Sequence, residues 1–136
     1  MSNVDTVQEI YAAFGRGDVP AILEHLSDDV VVDGWEDNRA QAAGVPWMAE
    51  RHGHAGMVEF ITVVGGVGVR DLEVISLMDG GDRVAAEVVI ETERYRDEEI
   101  VVFWFDPAGK VTRLRHYIDT AKHIAAATGA AAGAAA

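Results

Sequence analysis

Cysteine is absent from the 136 residues, which excludes disulfides, thiolate metal ligands and thiol nucleophiles. Cations are scarce: 11 Lys and Arg stand against 23 Asp and Glu, a formal charge of −12. Without clustered cations, neither nucleic acid nor an anionic membrane surface is an expected partner. The acidity itself serves solubility first, and it suits a neutral or cationic small ligand. No apolar run approaches the length of a membrane-spanning helix. The start, Met1-Ser2-Asn3-Val4-Asp5, has neither the basic nor the apolar segment of a secretory leader, so a cytoplasmic location is the expectation. Phosphate loops, nucleotide fingerprints and a Ser-His-Asp order are also missing, and no cofactor is expected. A chain of this length builds one core without staples.

What is present is a change of period along the chain. Val4, Val7, Tyr11 and Phe14 recur at helical spacing until Gly15 and Gly17 end the run, predicting a helix over 4–15. Asp18 and Pro20 open a short second helix, and the β-branched Val30-Val31-Val32 predicts a strand. Residues 36–53 show no periodicity and read as a long loop, more often functional than idle inside a small domain. Met57, Phe60, Ile61 and Val64 predict a third helix. Beyond Gly65-Gly66 the period becomes two, predicting strands at 69–78, 83–95, 99–106 and 111–119 with turns between them. The fold class is therefore α+β, three helices against a curved, mainly antiparallel sheet. The domain is expected over 1–124, followed by an alanine- and glycine-rich tail over 125–136, while 121–128, across that boundary, has the composition to extend as a helix.

Alternation sorts the strands into faces. Val88, Val101, Phe103, Phe105 and Leu114 fall on the inward side, with Phe14, Leu26 and Phe60 completing the expected core. His116 shares that inward stripe, and Arg94 continues the inward side of its strand. Outward lie Val102, Trp104 and Tyr117, along with Glu87, Glu91 and Glu93, which are expected to meet Arg113 and Arg115. Exposed aromatics among charges suggest a homodimer through this outer sheet face.

Two stretches carry a resemblance. One runs from Val7-Gln8-Glu9-Ile10-Tyr11 through Gly15-Arg16-Gly17-Asp18 to Asp33-Gly34-Trp35. The other runs from Phe103-Trp104-Phe105-Asp106-Pro107 to Arg115-His116-Tyr117-Ile118-Asp119. Together they resemble the SnoaL-like branch of the nuclear-transport-factor-2-like superfamily, which includes polyketide cyclases, ketosteroid isomerases and limonene-epoxide hydrolases. The resemblance covers about residues 4–120 and implies a cone-shaped barrel with a hollow centre. It implies a small hydrophobic ligand, but it does not name a reaction, because members of one fold change their catalytic residues freely.

Where the cyclases and epoxide hydrolases carry a catalytic aspartate on the last strand, this chain has His116, an acid–base group near neutral pH. Thr92-Glu93-Arg94 is similar to the hydrolases' arginine segment, making Arg94 the second catalytic candidate. The acidic partner expected two residues on is replaced by Arg96, with Asp97 on the wrong parity. The isomerase pattern departs at three places: its base falls on Gly34, with Asp33 on the opposite parity, its oxyanion acid on Val101, and its first-helix tyrosine on Ile10, one before Tyr11. Ligand contacts are expected from Tyr11, Trp35, Trp47, His54, Val88 and Phe103, with the loop tryptophans as an aromatic lid. His52-x-His54 with Glu50 lacks a further ligand at metal-site spacing, so no metal site is expected. His25 and His123 read as surface residues. Two functional classes follow: a cofactor-free enzyme doing acid–base chemistry on a hydrophobic, oxygenated substrate, or a non-catalytic binding or dimerisation module.

Overall fold

Ser2 and Asp5 cap the first helix reciprocally, each side chain taking the other residue's backbone N–H, the arrangement that satisfies two otherwise orphaned donors. In the computed structural model, which describes residues 1–129, helix α1 spans Asn3–Gly15 and α2 spans Val19–Glu24. Asp18 caps α2, accepting the Ala21 N–H, with proline in its first turn. Strand β1 (Leu26–Val32) follows, then the short α3 (Arg39–Ala42), a 3-10 turn at Pro46–Met48 and the two-residue β2 (Arg51–His52). Helix α4 (Gly53–Val67) ends at Gly68, whose φ of 86° is a left-handed cap that glycine adopts without strain. Strands β3 (Val69–Asp79), β4 (Arg83–Thr92), β5 (Arg96–Phe105) and β6 (Val111–Tyr117) form the meander, and α5 (Thr120–Thr128) closes the described chain.

The six strands make one sheet in the order β2-β1-β6-β5-β4-β3. All neighbours are antiparallel except β1 and β6, which run parallel. Bulges interrupt β3 against β4 and β5 against β6, and such insertions bend a sheet. The bent sheet wraps α1, α2 and α4. A main core is built from Val7, Ile10, Ile22, Val30, Val84, Val101 and their neighbours. A second core gathers Ala40, Val45, Trp47, Met48, Val64 and Val67 beneath α5. Leu26, Val88, Phe103, Phe105 and Leu114 are buried as expected. Phe14 and Phe60 stay partly accessible because they pack against both cores around a hollow.

Several expectations change. Among the described residues there are five α-helices, not three, with α3 and α5 the additional ones. The loop over 36–53 is ordered by α3, the 3-10 turn and β2. Strand β4 stops at Thr92, whose hydroxyl oxygen accepts the Arg94 and Tyr95 N–H groups. The turn therefore falls at 93–95 and β5 begins at Arg96. Because β5 lies between β4 and β6, Glu87 and Glu91 do not reach Arg113 and Arg115, which oppose Trp104 and Val102. Glu93 sits in the turn. The low-complexity segment expected from 125 begins inside α5, where Ala126 and Ala127 pack on the second core. Its remainder from 130 lies outside the described residues. Among the described residues no helix is long and apolar enough to cross a membrane.

Candidate active site

The hollow between α1, α4 and the inner sheet face is lined almost wholly by apolar groups, including Ile10, Phe14, Met57, Phe60, Val88 and Phe103. The cavity proper measures about 80 Å³, below the roughly 300–1,000 Å³ of drug-sized ligand pockets, so it suits a small molecule. Few polar side chains reach its wall: Tyr11, Trp47, Tyr95, Glu99, His116 and His123.

His116 is placed there by the pleat of β6, opposite Val101 of β5. Its partner is Asp33, fully buried just past the end of β1. Asp33 leaves the strand at φ 53°, a left-handed conformation that aspartate tolerates better than most residues. Its N–H donates to Leu114 O at 2.9 Å, and its carbonyl accepts from Gln41 Nε2 at 2.6 Å. The left-handed step turns the carboxylate toward β6. There Oδ1 accepts the His116 backbone N–H at 2.8 Å, and both oxygens face His116 Nδ1 at 3.1 and 3.0 Å. A carboxylate acceptor at Nδ1 places a proton on that nitrogen, leaving Nε2 as the working atom. Phe60 lies against the imidazole, ring centres 5.1 Å apart. Burial disfavours the charged ring, but the Asp33 charge and hydrogen bond, joined by the charge of Glu99, outweigh it. His116 therefore titrates above an ordinary histidine.

A second polar group occupies the wall nearer α5. His123, 1 % exposed, accepts the Trp47 indole N–H at Nδ1 over 2.8 Å. Its Nε2 faces Asp97 Oδ2 at 2.6 Å and Glu99 Oε2 at 3.2 Å. An indole N–H can only donate, so Nδ1 holds the lone pair and the ring proton sits on Nε2. Tyr95 packs on both rings, 4.3 Å from His123 and 5.7 Å from Trp47. Burial, then the carboxylate charges, push the Tyr95 and Tyr11 hydroxyls upward from the usual tyrosine range. Asp97, Glu99 and His123 each bring one ligand atom within 4.8 Å of the others. The network nevertheless turns a proton, not a lone pair, toward the carboxylates, so the set fits a metal only if the Trp47 bond breaks.

Of the expected site residues, Tyr11, Trp47, Val88, Phe103 and His116 converge on the cavity. Arg94 does not: it is exposed in the turn after β4, because the strand ends two residues before it. Trp35 packs on Tyr117 at 4.9 Å and beneath the Arg115 guanidinium at 4.5 Å, on the opposite side of the sheet. His54 is spent on Leu26 O at 3.0 Å. His123 is not a surface residue. In the sequence, parity sets Asp33 and Asp97 aside, and Glu99 is passed over. The last two were within reach, since stepping back by twos from Phe103 and Val101 arrives at Glu99 and Asp97.

Comparison with solved structures gives the same architecture. A nuclear-transport-factor-2-like protein of unknown function from Burkholderia pseudomallei matches at 24% identity and TM-score 0.73, covering 94% of this chain and 99% of that one. A protein from Xanthomonas campestris, named for a proposed polyketide cyclase activity, matches at 25% identity and TM-score 0.65, covering 92% and 96%. TerC, co-crystallised with polyporic acid, matches at 25% identity and TM-score 0.69, covering 87% and 92%. No curated protein sequence matches significantly. The model of the SnoaL-like domain spans residues 7–119, most of the chain and every strand that shapes the hollow, and the protein belongs to that family.

Proposed function

We propose that this protein is a cofactor-free enzyme that moves protons on a hydrophobic, oxygenated small molecule, in a cyclisation, dehydration or isomerisation, with His116 as the catalytic residue. The observation that carries the reading is an imidazole in an apolar cavity, held at Nδ1 by a buried carboxylate at 3.0 Å. Protonated, His116 donates the Nε2 proton to a carbonyl or departing hydroxyl oxygen; neutral, it takes a proton from carbon next to a carbonyl. Asp33 is the positioning residue, fixing the tautomer and stabilising the charged ring. The TerC and Xanthomonas relatives support small-molecule chemistry in this fold. We further propose that the protein is a cytoplasmic homodimer joined through the outer sheet face.

The test is exchange of the protons α to the ketone of 2-tetralone for deuterium, followed by NMR. Wild type should accelerate exchange above buffer, and His116→Ala should lose ~10²–10⁴-fold of it, the usual worth of a general acid or base. The competing reading is a non-catalytic binding module, favoured by the loss of the family's last-strand aspartate. Tetralone binding without exchange would establish it.

A further inference from the structure

Part of the polar capacity around the cavity is already spent. Trp47 and His123 Nδ1 satisfy each other, and His116 Nδ1 is held by Asp33. Asp97 is saturated: it accepts from His123, from the Glu98 and Asp119 backbone N–H groups, and has Lys122 Nζ 3.8 Å away. Glu99 is different. It is 7 % exposed and lines the cavity, yet its contact is the longer, 3.2 Å arm of a histidine proton shared with Asp97. A buried carboxylate with spare lone pairs is costly unless a donor reaches it. Strand register fixes where that donor must sit. Val101 opposes His116, so Glu99, two residues back on the same face, is a diagonal neighbour of His116 at about 7–8 Å, somewhat less between Cβ atoms.

We propose that Glu99 is the cavity's ligand-recognition residue, accepting a hydrogen bond from a hydroxyl at one end of an apolar substrate whose carbonyl oxygen faces His116 at the other. The substrate class is thus a carbonyl compound that also carries a hydroxyl, and it is not anionic at the Glu99 end. A carboxylate there is repelled by Glu99 and Asp97 together. The inference deepens the acid–base reading and rests on it for the role of His116, but recognition by Glu99 is separately measurable.

Isothermal titration of 6-hydroxy-2-tetralone against 6-methoxy-2-tetralone tests the donor, since the ether replaces the hydroxyl proton with a methyl group. Wild type should prefer the hydroxyl compound by about 10- to 100-fold, the range for a hydrogen bond to a charged group. Glu99→Gln, nearly isosteric, should cut that preference at least ~5-fold by removing the charge assistance, and Glu99→Met should abolish it. His116→Ala should keep the preference while losing deuterium exchange, which separates failure of the catalytic reading from failure of this one. Equal affinity for the two probes, binding of neither, or a preference retained in Glu99→Met overturns the assignment. So does one-to-one binding of Zn²⁺ alone that Glu99→Gln abolishes, which would make the cluster a cation site.

Discussion

His116 and Asp33 form the pair on which the chemistry depends, and their coupling has a consequence for stability. The folded state holds the His116 proton more tightly than the unfolded chain does, because its pKa is raised. The pair's contribution is therefore complete below the unfolded histidine value of about 6.5 and fades as pH rises through the higher folded value. Asp33→Asn should lower the melting temperature more at pH 6 than at pH 9, in melts followed by circular dichroism. A difference that grows toward alkaline pH would contradict the sign. Simple replacement of His116 by aspartate, the family's usual residue, puts two carboxylates about 3 Å apart where Asp33 now meets the ring, and like charges at that distance cannot both ionise. His116→Asp should accordingly be less stable than the double variant with Asp33→Asn, again by thermal melting.

At the scale of elements, α5 is fastened to the barrel by a buried histidine instead of by apolar area alone. Trp47→Phe keeps an aromatic ring but removes the pyrrole half with its N–H, leaving His123 Nδ1 buried without a donor, at a cost of about 1–3 kcal/mol beyond the lost packing. Hydrogen exchange should speed up selectively over Thr120–Thr128; protection unchanged there would show that the bond is dispensable. The same elements show what could be read beforehand. Period-two alternation placed His116, Val101 and Phe103 correctly, because β5 and β6 are regular there. It misled at Asp33, since a left-handed residue reverses the facing that parity assigns. It also misled at Arg94, where side-chain bonds from Thr92 end the strand early and no propensity signals that choice. Trp47 was legible only as a loop aromatic; its pairing with His123 spans 76 residues, beyond any local pattern.

For the molecule as a whole, the outer sheet face is the surface left to account for. Trp104 lies there under the guanidiniums of Arg83, Arg113 and Arg115, 5.4 to 5.9 Å from its ring. Glu87, Glu91 and Glu98 occupy the other end of the same face, with Arg96 the basic residue among them. A two-fold axis between the faces and across the strands would lay the basic end of one copy on the acidic end of the other, the self-complementarity a symmetric dimer needs. In the proposed dimer Trp104→Glu removes the aromatic contact and sets an acid in the basic end that meets the acidic end of the other copy, and analytical ultracentrifugation should show a folded monomer; a wild type already monomeric at high concentration would refute the interface. The cavity is lined by residues of one chain, and the central claim concerns His116. Its most direct test is an NMR titration of the His116 ring nitrogens in wild type and Asp33→Asn. The account predicts a wild-type midpoint above about 6.5 that falls in the variant, with added 2-tetralone perturbing Nε2. A midpoint at or below the ordinary value, unmoved by Asp33→Asn and indifferent to the ketone, would contradict it.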